Sequence, residues 1–318
     1  MSDLPLIQAD RAVPPPAATT STGGRRRRLR LLSRTDRVVI TLMVLVPLLL
    51  VTGFVWLPAA ATVLLSGTNW DGIGPLNEIE FVGARNYSDV VNIYPPFVPA
   101  IQNNLLWLAT LFVVATPFGM FLAVLLDKEL RGSRFYQTAL YLPVVLSLAL
   151  IGFVWQLLYS RDQGLINAAF GSSIDWYGDS NVNIWAVMVA SGWRHVGYIM
   201  LLYLAGLKGV DPSLREAAAV DGASESRTFF RVVFPVLRPI NIIVLVVTVI
   251  ESLRAFDLVW VVNKGRNGLE LISALVTQNV VGEASRIGFG SALATIMLVV
   301  SLVFITIYLA TVMRENRE

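Results

Sequence analysis

The sequence predicts an all-α integral membrane protein with six transmembrane helices and both termini in the cytoplasm. Three observations lead there. Composition is the first: 55% of residues are hydrophobic and only 15% charged, against roughly 25% charged in a soluble domain. Second, six apolar runs, each long enough to cross a bilayer, alternate with short polar segments. The third is the placement of lysine and arginine. Predicted inner segments carry Arg11, the basic run from Arg25 to Arg37, Lys128, Arg131, Arg134, Lys208, Arg215, Arg227, Arg231, Arg238, Arg314 and Arg317. Outer segments carry Arg85, Arg161, Lys264, Arg266 and Arg286. Positive charge gathers on the cytoplasmic side.

Residues 1–37 read as a disordered basic cytoplasmic tail. Pro14-Pro15-Pro16 and the Ala/Thr/Ser/Gly run after it cannot build a core. The arginines that follow abut an apolar segment, so they read as an anchor to anionic lipid headgroups rather than a nucleic-acid site. The membrane-spanning body covers 38–312, with the cytoplasmic loop 207–240 inside it, and 313–318 is a short cytoplasmic tail. Val38 to Leu65 is the first span; its apolar run is too long for a cleaved signal. Ser66 to Pro96 is a polar outer loop. Phe97 to Leu126 is the second span, with Gln102, Asn103 and Asn104 near its outer end. Phe135 to Tyr159 is the third, and Pro143 predicts a kink in it. The fourth runs from Asn183 to Gly206, the fifth from Ile240 to Val262 and the sixth from Ile287 to Val312. Asn263 to Arg286 reads as an outer, partly helical segment.

The most informative polar interruption is 207–240. Asp211 is a good N-cap, Pro212 suits the first helical position, and Leu214 to Val220 supplies helix formers. Gly222 stops that helix, Ser224 caps a second one, and Pro235 and Pro239 end or kink it. Ala217, Ala218 and Ala219 leave a thin helix that another protein can approach. Glu216, Asp221, Arg215 and Arg227 are placed to fix its register there. Residues alone also permit an ordinary helix-turn-helix between two spans.

Glu216-Ala217-Ala218, three residues, Gly222, nine residues, then Val232-x-Phe234-Pro235 resembles the EAA loop of ABC-importer permeases. The family pattern has Ile and Leu where Val232 and Phe234 stand. Phe81-Val82-Gly83-x-x-Asn86-Tyr87, Gly164-x-x-Asn167 and the segment around Gly288, Ser291 and Ala292 resemble carbohydrate-uptake members like the maltose permease. Asn263-Lys264-Gly265-Arg266-Asn267 departs from the Thr-x-Gly-Gly-Pro common there. The resemblance implies a type I importer permease in a bacterial or archaeal cell membrane. It implies two copies of a cytoplasmic ATPase, a second homologous permease and an extracytoplasmic substrate-binding protein. Glu216, Ala217, Ala218, Asp221, Gly222, Ala223 and Pro235 become ATPase-coupling residues by the same resemblance.

No Gly-Lys dipeptide occurs, so a phosphate-cradling Walker A loop is missing from the chain. One histidine and no cysteine leave no metal-site pattern, and no catalytic motif or cofactor site is expected. Substrate-path candidates are Glu251, Arg254 and Asp257, whose three-residue spacing puts them on one broad face of a continuous fifth span. An internal Glu251–Arg254 ion pair that only shapes packing is the equal alternative. Trp193 joins the candidates as an aromatic face for a sugar ring, with Arg194 and His195 beside it. The substrate is expected to be a sugar or oligosaccharide. Alternatives are glycerol phosphate, a polyamine, or a stand-alone secondary transporter, which would leave Glu216 and Gly222 dispensable.

Overall fold

The computed structural model describes residues 33–128, 131–282 and 285–315. The arginines from Arg25 to Arg30, and Arg317, lie outside them. The chain divides into two compact units, Met1–Trp56 and Leu57–Glu318.

In the first unit, α1 (Arg34–Val51) continues into a π-helical turn, Thr52–Trp56. Ser33 caps α1: its hydroxyl accepts from the Asp36 N–H, and the Asp36 carboxylate accepts from the Ser33 N–H. This box starts the helix four residues before the expected boundary at Val38, because the cap outweighs the fall in hydropathy.

The second unit opens with α2 (Leu57–Leu65) and, after a loop, α3 (Arg85–Asn92). The outer loop between them is tied down by its own motif. Asn86 donates to the Ser66 and Thr68 carbonyls at 2.8 and 2.7 Å. The Tyr87 hydroxyl lies 2.6 Å from Ser66 Oγ, and Phe81 pairs with Thr68 in a β-bridge. The second span is α4 (Phe97–Thr110), a π-turn at Leu111–Ala115, and α5 (Thr116–Asp127).

The expected third span is not one helix. It is α6 (Ser133–Val145) and α7 (Leu148–Leu158), bent by 105°. Pro143 sits inside α6, and the break falls at Leu146–Ser147, where the Ser147 hydroxyl caps α7 by accepting from the Leu150 N–H. Proline weakens the ladder, but the serine cap decides where the new helix starts. In the next outer loop, α8 (Leu165–Phe170) surrounds Asn167. Its amide donates to the Arg161 and Ile174 carbonyls and accepts from Ser172 Oγ and Trp176 Nε1.

The centre of the unit is α9 (Asn183–Lys208). Around its first half Val187 and Met188 pack with Trp107, Leu111 and Ile151. Around its second half Ile199, Met200 and Tyr203 pack with Ala123, Leu126 and Val244. Close approach depends on glycine. A Cβ on Gly119 would lie 2.8 Å from the Val196 carbonyl oxygen, and one on Gly197 2.3 Å from that of Leu140.

The 207–240 loop forms α10 (Pro212–Val220), α11 (Glu225–Thr228), a π-turn at Phe229–Val233 and the short α12 (Phe234–Val236). The fifth span then starts as α13 (Arg238–Leu253), stops, and restarts as α14 (Asp257–Asn263). The outer segment folds back as α15 (Ile272–Val280) and leads into α16 (Ile287–Glu315). Leu275 of α15 packs with Phe97, Phe289 and Leu293. The small residues of α16 serve packing: a Cβ on Gly288 would lie 2.1 Å from the Thr68 carbonyl.

Among the described residues, helical segments at Thr35–Leu65, Phe97–Asp127 and Ile287–Thr306 are long and apolar enough to cross a membrane, and up to five spans result if the bent pairs Ser133–Val145 with Leu148–Leu158 and Glu225–Val236 with Arg238–Asn263 each count as one. At 26 residues α9 is long enough, but Arg194 and His195 lower its hydropathy.

These contacts set up a paired test within α9. Gly192 has nothing within 4 Å of an added Cβ, so Gly192→Ala is expected to keep or slightly raise thermal stability in detergent, by up to about 1 kcal/mol. Gly197→Ala is expected to lower it by about 1–3 kcal/mol or more. Equal effects would show that α6 does not need this contact.

Candidate functional site

The expected site residues fall in two places: a cavity where the expected third and fifth spans are interrupted, and the 207–240 loop.

The cavity, of about 220 Å³, lies beside the first of the two apolar cores around α9, sharing Trp107 and Leu258 with it. Trp107 of α4, Ser191 and Arg194 of α9, and Glu251, Arg254 and Asp257 line it. Glu251, Arg254 and Asp257 are thus brought together, though not as three positions on one helix. The helix ends at Leu253 and restarts at Asp257, with Phe256 at φ −144° and ψ −57°. Periodicity is lost between the residues it was expected to align.

The Glu251 partner is not the Arg254 of the alternative packing reading. Arg194 of α9 reaches it, Nη1 to Oε2 at 3.3 Å, with the two side chains 25% and 35% exposed. Arg194 Nε is buried and unpartnered among the described residues. Among the described residues Arg254 and Asp257 form no ion pair, and both line the cavity. Trp193 does not line the cavity; it packs edge-on against Trp155, with ring centroids 5.8 Å apart. His195 is a satisfied interior residue. Its Nε2 lies 3.2 Å from Thr248 Oγ1, which in turn lies 3.4 Å from Thr116 Oγ1.

Two residues that the sequence showed without a role secure this region. Asn103 donates to the Gly268 and Glu270 carbonyls at 3.1 and 2.9 Å. Asn104 donates to the Ser252 carbonyl and accepts from the Ile272 N–H. An amide in an apolar run was the visible signal. The departing segment after the fifth span builds a tight turn, with positive φ at Lys264, Gly265, Asn267 and Gly268. Gln278 holds it by donating to the Lys264 and Gly265 carbonyls.

In the loop, the Asp211 side chain accepts from the Ser213 N–H and caps α10. That backbone hydrogen bond holds its carboxyl below the usual value of 3.8. At the other end the Ala223 N–H donates to the Ala218 carbonyl, and the Gly222 N–H to that of Ala219. With Gly222 at φ +74° this is a Schellman stop. Ser224 caps α11, accepting from the Arg227 N–H. Glu216, Ala217, Val220, Asp221, Gly222 and Pro235 are exposed, and Ala218 is buried. The loop therefore offers a free face and a held face.

Arg215 belongs to the held face and does not point outward as expected. Its Nη1 donates to Asp127 Oδ2 at 2.7 Å, and Lys208 lies 3.4 Å from Oδ1 of the same carboxylate. The Asp127 side chain is only 9% exposed, so these two cations meet it with little competing water. Lys128 pairs with Glu225 at 2.5 Å, far more exposed and correspondingly weak. The Lys128 hydrogen bond holds the Glu225 carboxyl below 4.5. The pair therefore stays closed above that value and opens as pH falls through the depressed one.

Residues 115–315 match the family described as "Binding-protein-dependent transport system inner membrane component". A probable ABC transporter permease protein of Pyrococcus horikoshii is 30% identical over 273 residues, covering 83% of this chain and 92% of the relative. The xylose/arabinose import permease protein of Haloferax volcanii is 31% identical over 259 residues, covering 77% and 78%. Among solved structures, a bacterial ABC transporter involved in import of the acidic polysaccharide alginate gives a TM-score of 0.76 at 18% identity. That match covers 88% of this chain and 96% of the other.

The Arg194–Glu251 pair can be measured by a double-mutant cycle. Arg194→Gln leaves a carboxylate without its cation and is expected to cost about 1–3 kcal/mol, less than for a fully buried pair because water reaches both groups. Arg194→Gln with Glu251→Gln is expected to recover at least half of that loss in detergent unfolding. Additive losses would mean that the two side chains do not interact.

Proposed function

This chain belongs to the family of binding-protein-dependent transport system inner membrane components, and we propose on that footing that it is a sugar-conducting permease subunit of an ATP-driven importer. Relatives named for xylose/arabinose, arabinooligosaccharide and trehalose/maltose transport support sugar as the substrate. The single observation that carries the reading is the cavity at the two broken spans, where Arg254 and Asp257 are unpaired. A guanidinium donor and a carboxylate acceptor beside Trp107 suit sugar hydroxyls.

Six spans with both termini in the cytoplasm are the topology that the lysine and arginine distribution supports. α9 is the span that hydropathy alone undervalues. The 207–240 loop then lies inside, where Glu216, Ala217, Asp221 and Gly222 meet an ATPase, Ala218 and Ala223 shape the turn, and Pro235 shapes the second helix. Two ATPase copies, a second permease and an external binding protein complete the assembly. This subunit conducts, and ATP hydrolysis belongs to its partner.

ATP binding draws the ATPase copies together and carries the loop with them. Arg215 and Lys208 hold Asp127 at the end of α5, so loop movement is passed to the second span and the spans rearrange around the cavity. Sugar enters from the binding protein and leaves inward.

The test is ATP-dependent uptake of pentose oligosaccharides, or maltose and trehalose, in vesicles holding the tagged chain with its copurified partners. Gly222→Asp is expected to lose the ATPase on purification, because only glycine tolerates φ +74° there at low cost. Asp127→Asn is expected to keep the ATPase bound yet lower uptake about tenfold or more, since two cations lose their carboxylate. Arg254→Gln with Asp257→Asn is expected to lower uptake with ATPase binding intact. Proton-driven uptake without ATP, with the Gly222→Asp variant active, would return the chain to the secondary-transporter alternative.

A further inference from the structure

We infer that Asn104 is a positioning residue for the solute path. It holds the broken fifth span in the geometry that presents Arg254 and Asp257 to the cavity, without itself meeting the solute. The inference rests on the reading of that cavity as the path.

Its basis is backbone accounting. A helix leaves its last carbonyls and first N–H groups without internal partners, and inside a membrane no water supplies them. α13 ends at Leu253, so the Ser252 carbonyl is one of these open acceptors. α15 starts at Ile272, so its N–H is an open donor. Asn104 serves both with one carboxamide. Nδ2 donates to the Ser252 carbonyl at 3.3 Å, and Oδ1 accepts from the Ile272 N–H at 3.1 Å. Ser252 is 0% exposed, Ile272 3% and Asn104 6%, so water cannot replace either bond.

The position makes these bonds matter for the cavity. The two anchored groups bracket the break on one side and α15 on the other. Ser273 Oγ donates to the Ala255 carbonyl within the break itself, at 2.5 Å. Trp107, three residues along α4 from Asn104 and so on a neighbouring face, lines the same cavity. If Asn104 lets go, the segment holding Arg254 and Asp257 loses its register against α4. A carboxamide is suited to the task because one rigid group carries donor and acceptor side by side.

The chain has no cysteine, so a single introduced thiol reports on one site. Asp257→Cys would be placed in the assembled transporter in membrane vesicles, and its labelling rate by a small water-soluble methanethiosulfonate reagent recorded. Phe170→Cys on α8, 80% exposed and away from the 207–240 loop, is the control. Adding Asn104→Leu is expected to change the Asp257→Cys rate about tenfold, from the loss of two buried hydrogen bonds, and to leave the Phe170→Cys rate unchanged. Adding Asn104→Asp is expected to restore the parent rate at acidic pH, where a protonated carboxyl can donate to the Ser252 carbonyl, and to deviate from it at alkaline pH. Each rate is compared with its parent at the same pH. An unchanged rate with Asn104→Leu overturns the inference, as does an equal change at both thiols. Should that variant fail to assemble, a pH-independent Asn104→Asp result overturns it. The path reading fails separately, if Arg254→Gln with Asp257→Asn leaves uptake intact.

Discussion

The expected fifth span is interrupted about two-thirds of the way along, and that interruption is what the cavity depends on. A continuous helix from Arg238 to Asn263 would satisfy its own backbone and leave no room between α4, α7 and α9. The chain instead stops at Leu253 and resumes at Asp257. Interrupted backbone at membrane depth survives only where protein supplies the missing partners. Here the partners are side chains. Asn104 and Ser273 reach backbone groups at or beside the break, and Asn103 holds the chain that returns from it. The third span is broken as well, and its outer half, α7, packs on α14: a Cβ on Gly152 would lie 3.0 Å from Val261. Gln156 donates to the Val261 carbonyl, so the two half-helices stand together.

Charge within this space follows from the same arrangement. Isolated ionised groups in a membrane interior are costly, so they pair or meet water. Arg194 and Glu251 take the first course across two helices, which leaves Arg254 and Asp257 beside the open volume. The division is a physical reason to separate a holding pair from a reading pair. His195, Thr248 and Thr116 link α9, α13 and α5 through buried hydroxyl and imidazole groups. The two apolar cores are thereby joined across a polar seam that keeps α9 in register with both neighbours.

What could be read from the sequence was local. Asp211, Pro212, Gly222 and Ser224 each act on backbone within a few residues, so the caps and the stop of α10 and α11 were visible in the order of residues alone. The breaks at Leu146–Ser147 and Arg254–Phe256 were not, because hydropathy averages over a window wider than the break. Pro143 pointed to the right span but not the right residue. The partners of Glu251 and Asn104 were hidden for another reason. Arg194 is 57 residues from Glu251, and Asn104 is 148 and 168 residues from the groups it holds. Spacing rules stop at one helix. An amide or an arginine in an apolar run announces that a partner exists, and only the fold says which. Trp193 shows the converse: a residue type suited to a sugar was used for packing against Trp155.

The cavity and the loop lie at two ends of one element. Phe97–Asp127 is a helical segment of 31 residues, about 46 Å at 1.5 Å per residue. Near one end Asn104 and Trp107 meet the break and the cavity; at the other, Asp127 is gripped by Arg215 and Lys208 of the loop. A helix is stiff along its axis, so a pull on Asp127 need not pass through a chain of side chains to reach Asn104. The π-turn at Leu111–Ala115 lies between the two contacts. Such a turn alters one backbone hydrogen-bond register, so it is the place where the helix can bend without losing either end. On the importer reading, the grip on Asp127 and the hold by Asn104 are therefore two ends of one lever. Weakening either should change how far ATP-driven movement of the loop reaches the residues that meet the sugar.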